Sequence, residues 1–177
     1  MVSLGRPGGF AVGTEAKGEM MGGIAPGGSP YGKLHHIGVV VSDMDKAIAH
    51  FESLGFGPFQ FSEGVRTFTI DFKGELHGEP AEWKVKISNA KIGGIELELL
   101  EPDERASALR ETLDATGEGI HHIGFLTDDF EGDMADQLAR GATIWTMSKR
   151  TDAPSFLFLD PSSVGGMAIE LRTPGED

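Results

Sequence analysis

One stretch of this chain is written twice, and the repetition is the strongest constraint on its fold. Residues 34–56, LHHIGVVVSDMDKAIAHFESLGF, align without a gap on 120–142, IHHIGFLTDDFEGDMADQLARGA. The alignment sets His36 against His122, 86 residues apart. Four of the chain's 6 histidines lie in these two doublets. Further along, GGIELELLEP (93–102) aligns in the same way on GGMAIELRTP (165–174), which sets Glu98 against Glu170. A chain that repeats its pattern of apolar residues repeats its supersecondary unit, because the same pattern buries the same faces.

Each copy opens on a mostly apolar run bounded by polar residues, as a buried strand does. A helix start follows: Ser42 with Asp45, and Asp128 with Glu131, have the spacing of capping boxes. Met44, Ile48 and Phe51 in one copy, and Phe130, Met134 and Leu138 in the other, then recur at helical spacing. Gly55 and Gly141 stop the helices where the chain must turn left-handed. The expected strands are 34–42, 65–72, 83–89 and 94–101, then 120–127, 143–149, 154–160 and 166–173. The interval from histidine to glutamate is longer in the first copy, and the surplus falls near DFKGELHGEPAEW, expected to be a loop. The expected fold is therefore α+β, with two tandem βαβββ modules forming curved mixed sheets around a central metal site. The modules cover 33–102 and 119–177, with a helical linker at 103–118 and a Gly/Pro-rich arm at 1–32.

Strand parity tests whether the repeated histidines and glutamates can converge. Successive side chains of a strand point to opposite faces. Ile95, Leu97 and Leu99 make one apolar face, which leaves Glu96 and Glu98 on the other. Met167, Ile169 and Leu171 do the same in the second copy and leave Glu170 and Arg172 opposite. Within each doublet only one histidine can share the inner face, so His35 and His121 are expected to pack or support. Two imidazoles and two carboxylates suit one divalent ion such as Co, Ni, Zn, Mn or Fe.

Composition removes other classes. The net charge of −13 argues against nucleic acid or an anionic membrane surface as partner. With no cysteine there is no disulfide, thiolate ligand or cysteine nucleophile. No apolar run is long enough to span a bilayer and no secretory signal is visible, so a cytoplasmic location is expected. The arm has no helical or strand period and is expected to be flexible or to lie on a partner subunit of a homodimer.

At LHHIGVVVSDMDKAIAHF, IELELLEP, GEGIHHIGF and FLDPSSVGGMAIEL the chain resembles the vicinal oxygen chelate superfamily of glyoxalases, bleomycin resistance proteins and dioxygenases. Within it the resemblance is strongest to methylmalonyl-CoA epimerases and glyoxalase-like relatives. The resemblance implies that His36, Glu98, His122 and Glu170 hold the metal. It implies an epimerase or isomerase that abstracts a proton next to a metal-polarised carbonyl of a small oxo acid or thioester. Glu170 and Glu98 are then the catalytic candidates, Glu170 first, as a base that shifts off the metal. The family's further carboxylate on an inner strand of the first module has no counterpart, since its place falls on Thr67. Asp71, Glu82 and Glu96 are candidates to replace it. Where the family reads HPKS, this chain has Asp160-Pro161-Ser162-Ser163, which removes a lysine. Arg172, Glu96 and His77 are the expected substrate contacts, His77 as part of a lid. Trp83 and Trp145 are placed in the core. Other outcomes within the superfamily are a glyoxalase I-like lactoylglutathione lyase, an Fe(II) ring-cleaving dioxygenase and a non-catalytic binding protein of the bleomycin-resistance type. Glu98 counts against the dioxygenase, which uses two His and one Glu.

Overall fold

The computed structural model describes residues 30–149, 154–163 and 166–175, so most of the expected arm lies outside the described residues. The first module contains β1 (Leu34–Val40), α1 (Met44–Ser53), β2 (Phe68–Leu76), β3 (Glu79–Ile92) and β4 (Ile95–Pro102). A linking helix, α2 (Ala108–Thr116), leads to β5 (Gly119–Leu126), α3 (Phe130–Ala139), β6 (Ile144–Ser148), β7 (Phe156–Leu159) and β8 (Ala168–Arg172). The sheet order is β1-β4-β3-β2 in one module and β5-β8-β7-β6 in the other, closed into one barrel by the β1–β5 and β2–β6 pairs. In each module the first strand runs parallel to the last, and the other pairs are antiparallel.

The helices begin one residue later than the capping-box spacing predicts. Asp43 caps α1 by accepting from the Lys46 N–H, and Asp129 caps α3 by accepting from the Gly132 N–H. Ser42 instead holds the Glu118 carboxylate, and Asp128 pairs with Lys33. Both helices end as expected, with Gly55 and Gly141 each at φ 91°. Met44 and Ile48 are fully buried under the first sheet with Leu99. On α3 the expected inward Leu138 is exposed, and Gln137 is buried in its place with its amide oxygen taken by the Tyr31 hydroxyl. Tyr31 belongs to the expected arm and lies edge-on to Phe125 of its own chain.

The extra residues of the first module form no loop. They extend β2 and β3 into a hairpin that turns at His77 and Gly78, with φ 53° and 81°, between paired Leu76 and Glu79. Two adjacent positive φ values match the right-handed twist of the flanking strands, and histidine is among the residues that tolerate this conformation. The hairpin tip closes the barrel: Glu75 and Leu76 pair with Met147 and Thr146 of β6. Gly74 permits the approach, because a Cβ there would overlap the Met147 carbonyl.

Apolar clusters cross the module boundary. Val40, Trp83 and Leu100 pack with Phe156, and Leu76 packs with Trp145, Phe158 and Ala168. The two modules therefore share core. Among the described residues no helix is long and apolar enough to cross a membrane.

Candidate metal centre

The antiparallel β1–β5 pair brings the two doublets together. Its register sets Gly38 opposite His122 and His36 opposite Gly124. A Cβ on Gly38 would fall inside the His122 ring, and one on Gly124 inside the His36 ring. The HHIG spacing thus supplies two things per module: a histidine that crosses the seam and a bare backbone that receives the other module's histidine. Glu98 and Glu170 arrive from β4 and β8, the strands paired in parallel on either side.

The rings of His36 and His122 stand nearly perpendicular, at 84°, with their Nε2 atoms 2.8 Å apart. Glu170 Oε2 is 2.8 Å from His36 Nε2 and 3.3 Å from His122 Nε2. Glu98 Oε2 is 3.4 Å and 3.8 Å from the same two nitrogens. Neighbouring ligands of an octahedral ion bound at about 2.1 Å are roughly 3 Å apart, so the separations among His36, His122 and Glu170 fit one divalent ion, and Glu98 stands slightly further out. His36, His122 and Glu170 are buried, and one ligand atom from each lies within 4.8 Å of the other two. Two imidazole nitrogens and a carboxylate oxygen gathered this closely in a buried place are the donor set of a divalent-metal site. The residues therefore fit the metal that the sequence implies.

The first histidine of each doublet does not diverge from the second as parity predicts. His35 Nδ1 lies 2.8 Å from His36 Nδ1, and His121 Nδ1 lies 2.9 Å from His122 Nδ1. One shared proton fits in each gap. A proton held on the Nδ1 of His36 and His122 leaves both Nε2 lone pairs facing the centre, the tautomer that a metal needs. His121 is stacked on Trp145 at 5.4 Å, and burial together with neighbouring His122 lowers its pKa to about 3. It is therefore neutral near pH 7. Burial opposes the charging of His36, but Glu98 and Glu170 outweigh it and raise its pKa above the ordinary histidine value. Burial acts to raise the Glu170 pKa, yet His36 and His122 hold it well below the usual carboxylate range.

The centre opens on a cavity of about 420 Å³ inside the barrel. Glu98, His122, Glu170, Arg172 and Glu96 all line it, as does His35. Glu96 accepts a 3.3 Å hydrogen bond from Asn89 and pairs across β1–β4 with His36. The remaining candidates lie elsewhere. Asp71 and Glu82 sit on the outside of the β2–β3 hairpin with Lys84 and Lys73, and Thr67 precedes β2. The inner face of β2 carries Phe68, Ile70 and Phe72. His77 does not reach the cavity. It turns outward onto Glu111 of α2 at 3.1 Å, while its backbone N–H donates to Trp145 and ties the hairpin tip to β6. Of the two readings of His77, a lid over the site or a solvated surface histidine, the exposed side chain at the His-Gly turn matches the second. Trp83 is buried as expected but also lines the cavity.

Residues 35–158 match the family model of the Glyoxalase/Bleomycin resistance protein/Dioxygenase superfamily. The chain belongs to that superfamily. Among proteins it resembles, the YqjC protein of Bacillus subtilis is 25% identical over 147 residues, covering 82% of this chain and 94% of YqjC. Mitochondrial methylmalonyl-CoA epimerase of Bos taurus is 26% identical over 156 residues, covering 83% and 79%. A variant of Streptomyces coelicolor methylmalonyl-CoA epimerase, solved with 2-nitronate-propionyl-CoA, superposes with a TM-score of 0.58 at 27% identity. That match covers 81% of this chain and 98% of the solved one. The barrel of paired βαβββ modules is the vicinal oxygen chelate fold of this superfamily.

Proposed function

We propose that this superfamily member is a divalent-metal-dependent enzyme that moves a proton at the carbon next to a carbonyl, as an epimerase or isomerase. The observation that carries the reading is the convergence of two imidazole nitrogens and the Glu170 carboxylate beside a cavity, with Glu98 next to them. Its similarity to methylmalonyl-CoA epimerases supports the same reaction class. A divalent ion held there would draw electron density from a substrate carbonyl oxygen and acidify the adjacent C–H.

The chain's own residues divide the remaining work. His36, His122 and Glu170 would hold the ion, with Glu98 beside them as the proposed fourth ligand. Glu170 is held ionised by His36 and His122 and lines the cavity, so it is the proposed base. With only apolar groups on the inner face of β2, the second acid/base falls to Glu96, the remaining carboxylate among the described residues of the lining. Return of the proton to the other face of the carbon inverts it, and return to a neighbouring carbon isomerises the substrate.

Protein purified without chelator is expected to carry about one divalent ion per chain by plasma mass spectrometry. In D₂O, a metal-loaded sample turning over an acyl thioester or oxo acid should place deuterium at the carbon next to the carbonyl without consuming oxygen. Failure to bind Co, Ni, Zn, Mn or Fe would sink the reading. So would oxygen uptake coupled to product.

A further inference from the structure

Two features of the cavity go beyond the reaction class and point to the kind of molecule it takes. The first is an aromatic wall that runs unbroken to the metal candidates. Trp83 stacks on Phe72 at 5.7 Å, Phe72 meets Phe156 at 5.4 Å, Phe156 meets Phe158 at 5.3 Å, and Phe158 lies 4.6 Å from the His122 ring. At the half-exposed end Phe68 stacks on Phe61 at 5.0 Å. All these side chains line the one cavity, whose size is in the range of small-molecule sites and well beyond what a three-carbon acid fills.

The second feature is the cavity's charge. Among its described lining residues Arg172 is the only lysine or arginine. It stands two residues beyond Glu170 on β8, on the same face, and pairs in register with Phe156. It lines the same cavity as Glu98, His122 and Glu170. Its Nε is buried and has no hydrogen-bond partner among the described residues. A guanidinium in that position, between a ligand cluster and an aromatic wall, matches a planar carboxylate.

We infer that the substrate is a 2-oxo acid with an aryl-sized apolar body: its oxygens lie between Arg172 and the metal ligands, and its body lies against Phe72, Phe156 and Trp83. The inference rests on the proposal that this cavity is the substrate site, and it narrows the substrate class. A coenzyme A thioester is disfavoured because its body is a long polar chain ending in phosphates, which an aromatic wall does not recognise.

Calorimetric titration of the metal-loaded full chain with phenylpyruvate, pyruvate, phenylacetone and propionyl-CoA tests it. Phenylpyruvate should bind at least about tenfold more tightly than pyruvate, since burial of the ring adds apolar contact, and more tightly than propionyl-CoA. Arg172→Gln should weaken phenylpyruvate about tenfold and leave the neutral ketone phenylacetone unchanged. Phe68→Ser, at a half-exposed position of the cavity lining, should weaken phenylpyruvate and leave pyruvate unchanged. Equal affinity for phenylpyruvate and pyruvate, or tighter binding of propionyl-CoA, overturns the inference. An Arg172→Gln loss shared equally by acid and ketone overturns the role of Arg172. Repeating the phenylpyruvate and pyruvate titrations on metal-stripped protein separates the two readings. Preference for phenylpyruvate in a chain that binds no metal would leave this inference standing and remove the metal enzyme.

Discussion

Gly38 and Gly124 each leave the space that the opposite module's histidine fills, so the smallest side chains near the candidate centre are among its most constrained. Gly124→Ala should lower Zn²⁺ or Co²⁺ affinity at least about tenfold, as measured by competition with a chelator dye, because the His36 ring must move to admit a methyl group. Gly94→Ala, where nothing lies within 4 Å, is the control that should change nothing. His121 makes a second prediction, for the metal-free protein. Its folded pKa of about 3 lies below the ordinary value near 6.5, so the unfolded chain takes up a proton that the folded one refuses. Stability should therefore fall as pH drops below about 6.5, with a slope of at most roughly 1.4 kcal/mol per pH unit from this group. His36, whose folded pKa is raised, acts in the opposite sense, contributing stability at low pH and losing it as pH rises through that value. Urea unfolding from pH 7 to pH 4 should show a shallower decline in His121→Phe than in the parent. The candidate group of His36, His122 and Glu170 was legible in the sequence because its residues are duplicated. The ring-to-ring contact within each doublet was not, because parity describes where a Cβ points and not how a long side chain turns back.

At the scale of elements, the sequence located every strand and helix to within a few residues but misjudged caps and one connection. Aspartates flank both expected cap positions, and spacing alone does not say which one adopts the extended backbone that a cap needs. Asp129→Ala should cost about 1 kcal/mol in thermal or urea unfolding. Asp128→Ala, which removes only an exposed pair with Lys33, should stay within about 0.5 kcal/mol. DFKGELHGEPAEW was expected to be a loop because its Gly and Pro residues punctuate local structure. Its Glu, Phe, Leu and Trp nevertheless continue the strand alternation on both sides of His77-Gly78, and the pairing with β6 decides between the two readings.

Over the whole molecule the two seams that close the barrel are unequal. The β1–β5 seam joins six residue pairs and carries both histidines, whereas the β2–β6 seam joins only two. Hydrogen exchange should therefore release the amides of β6 and the hairpin tip before those of β1 and β5, and metal loading should widen that difference. Equal protection at both seams would contradict this. The seam with the ligands is also where each half has been carved to the shape of the other: a hollow on one side for a ring from the opposite side, twice over. Neither half is thus a portable part. For anyone recombining segments of related chains, the unit of inheritance is the matched pair, since a half taken alone brings a histidine with nowhere to rest and a hollow with nothing to fill it.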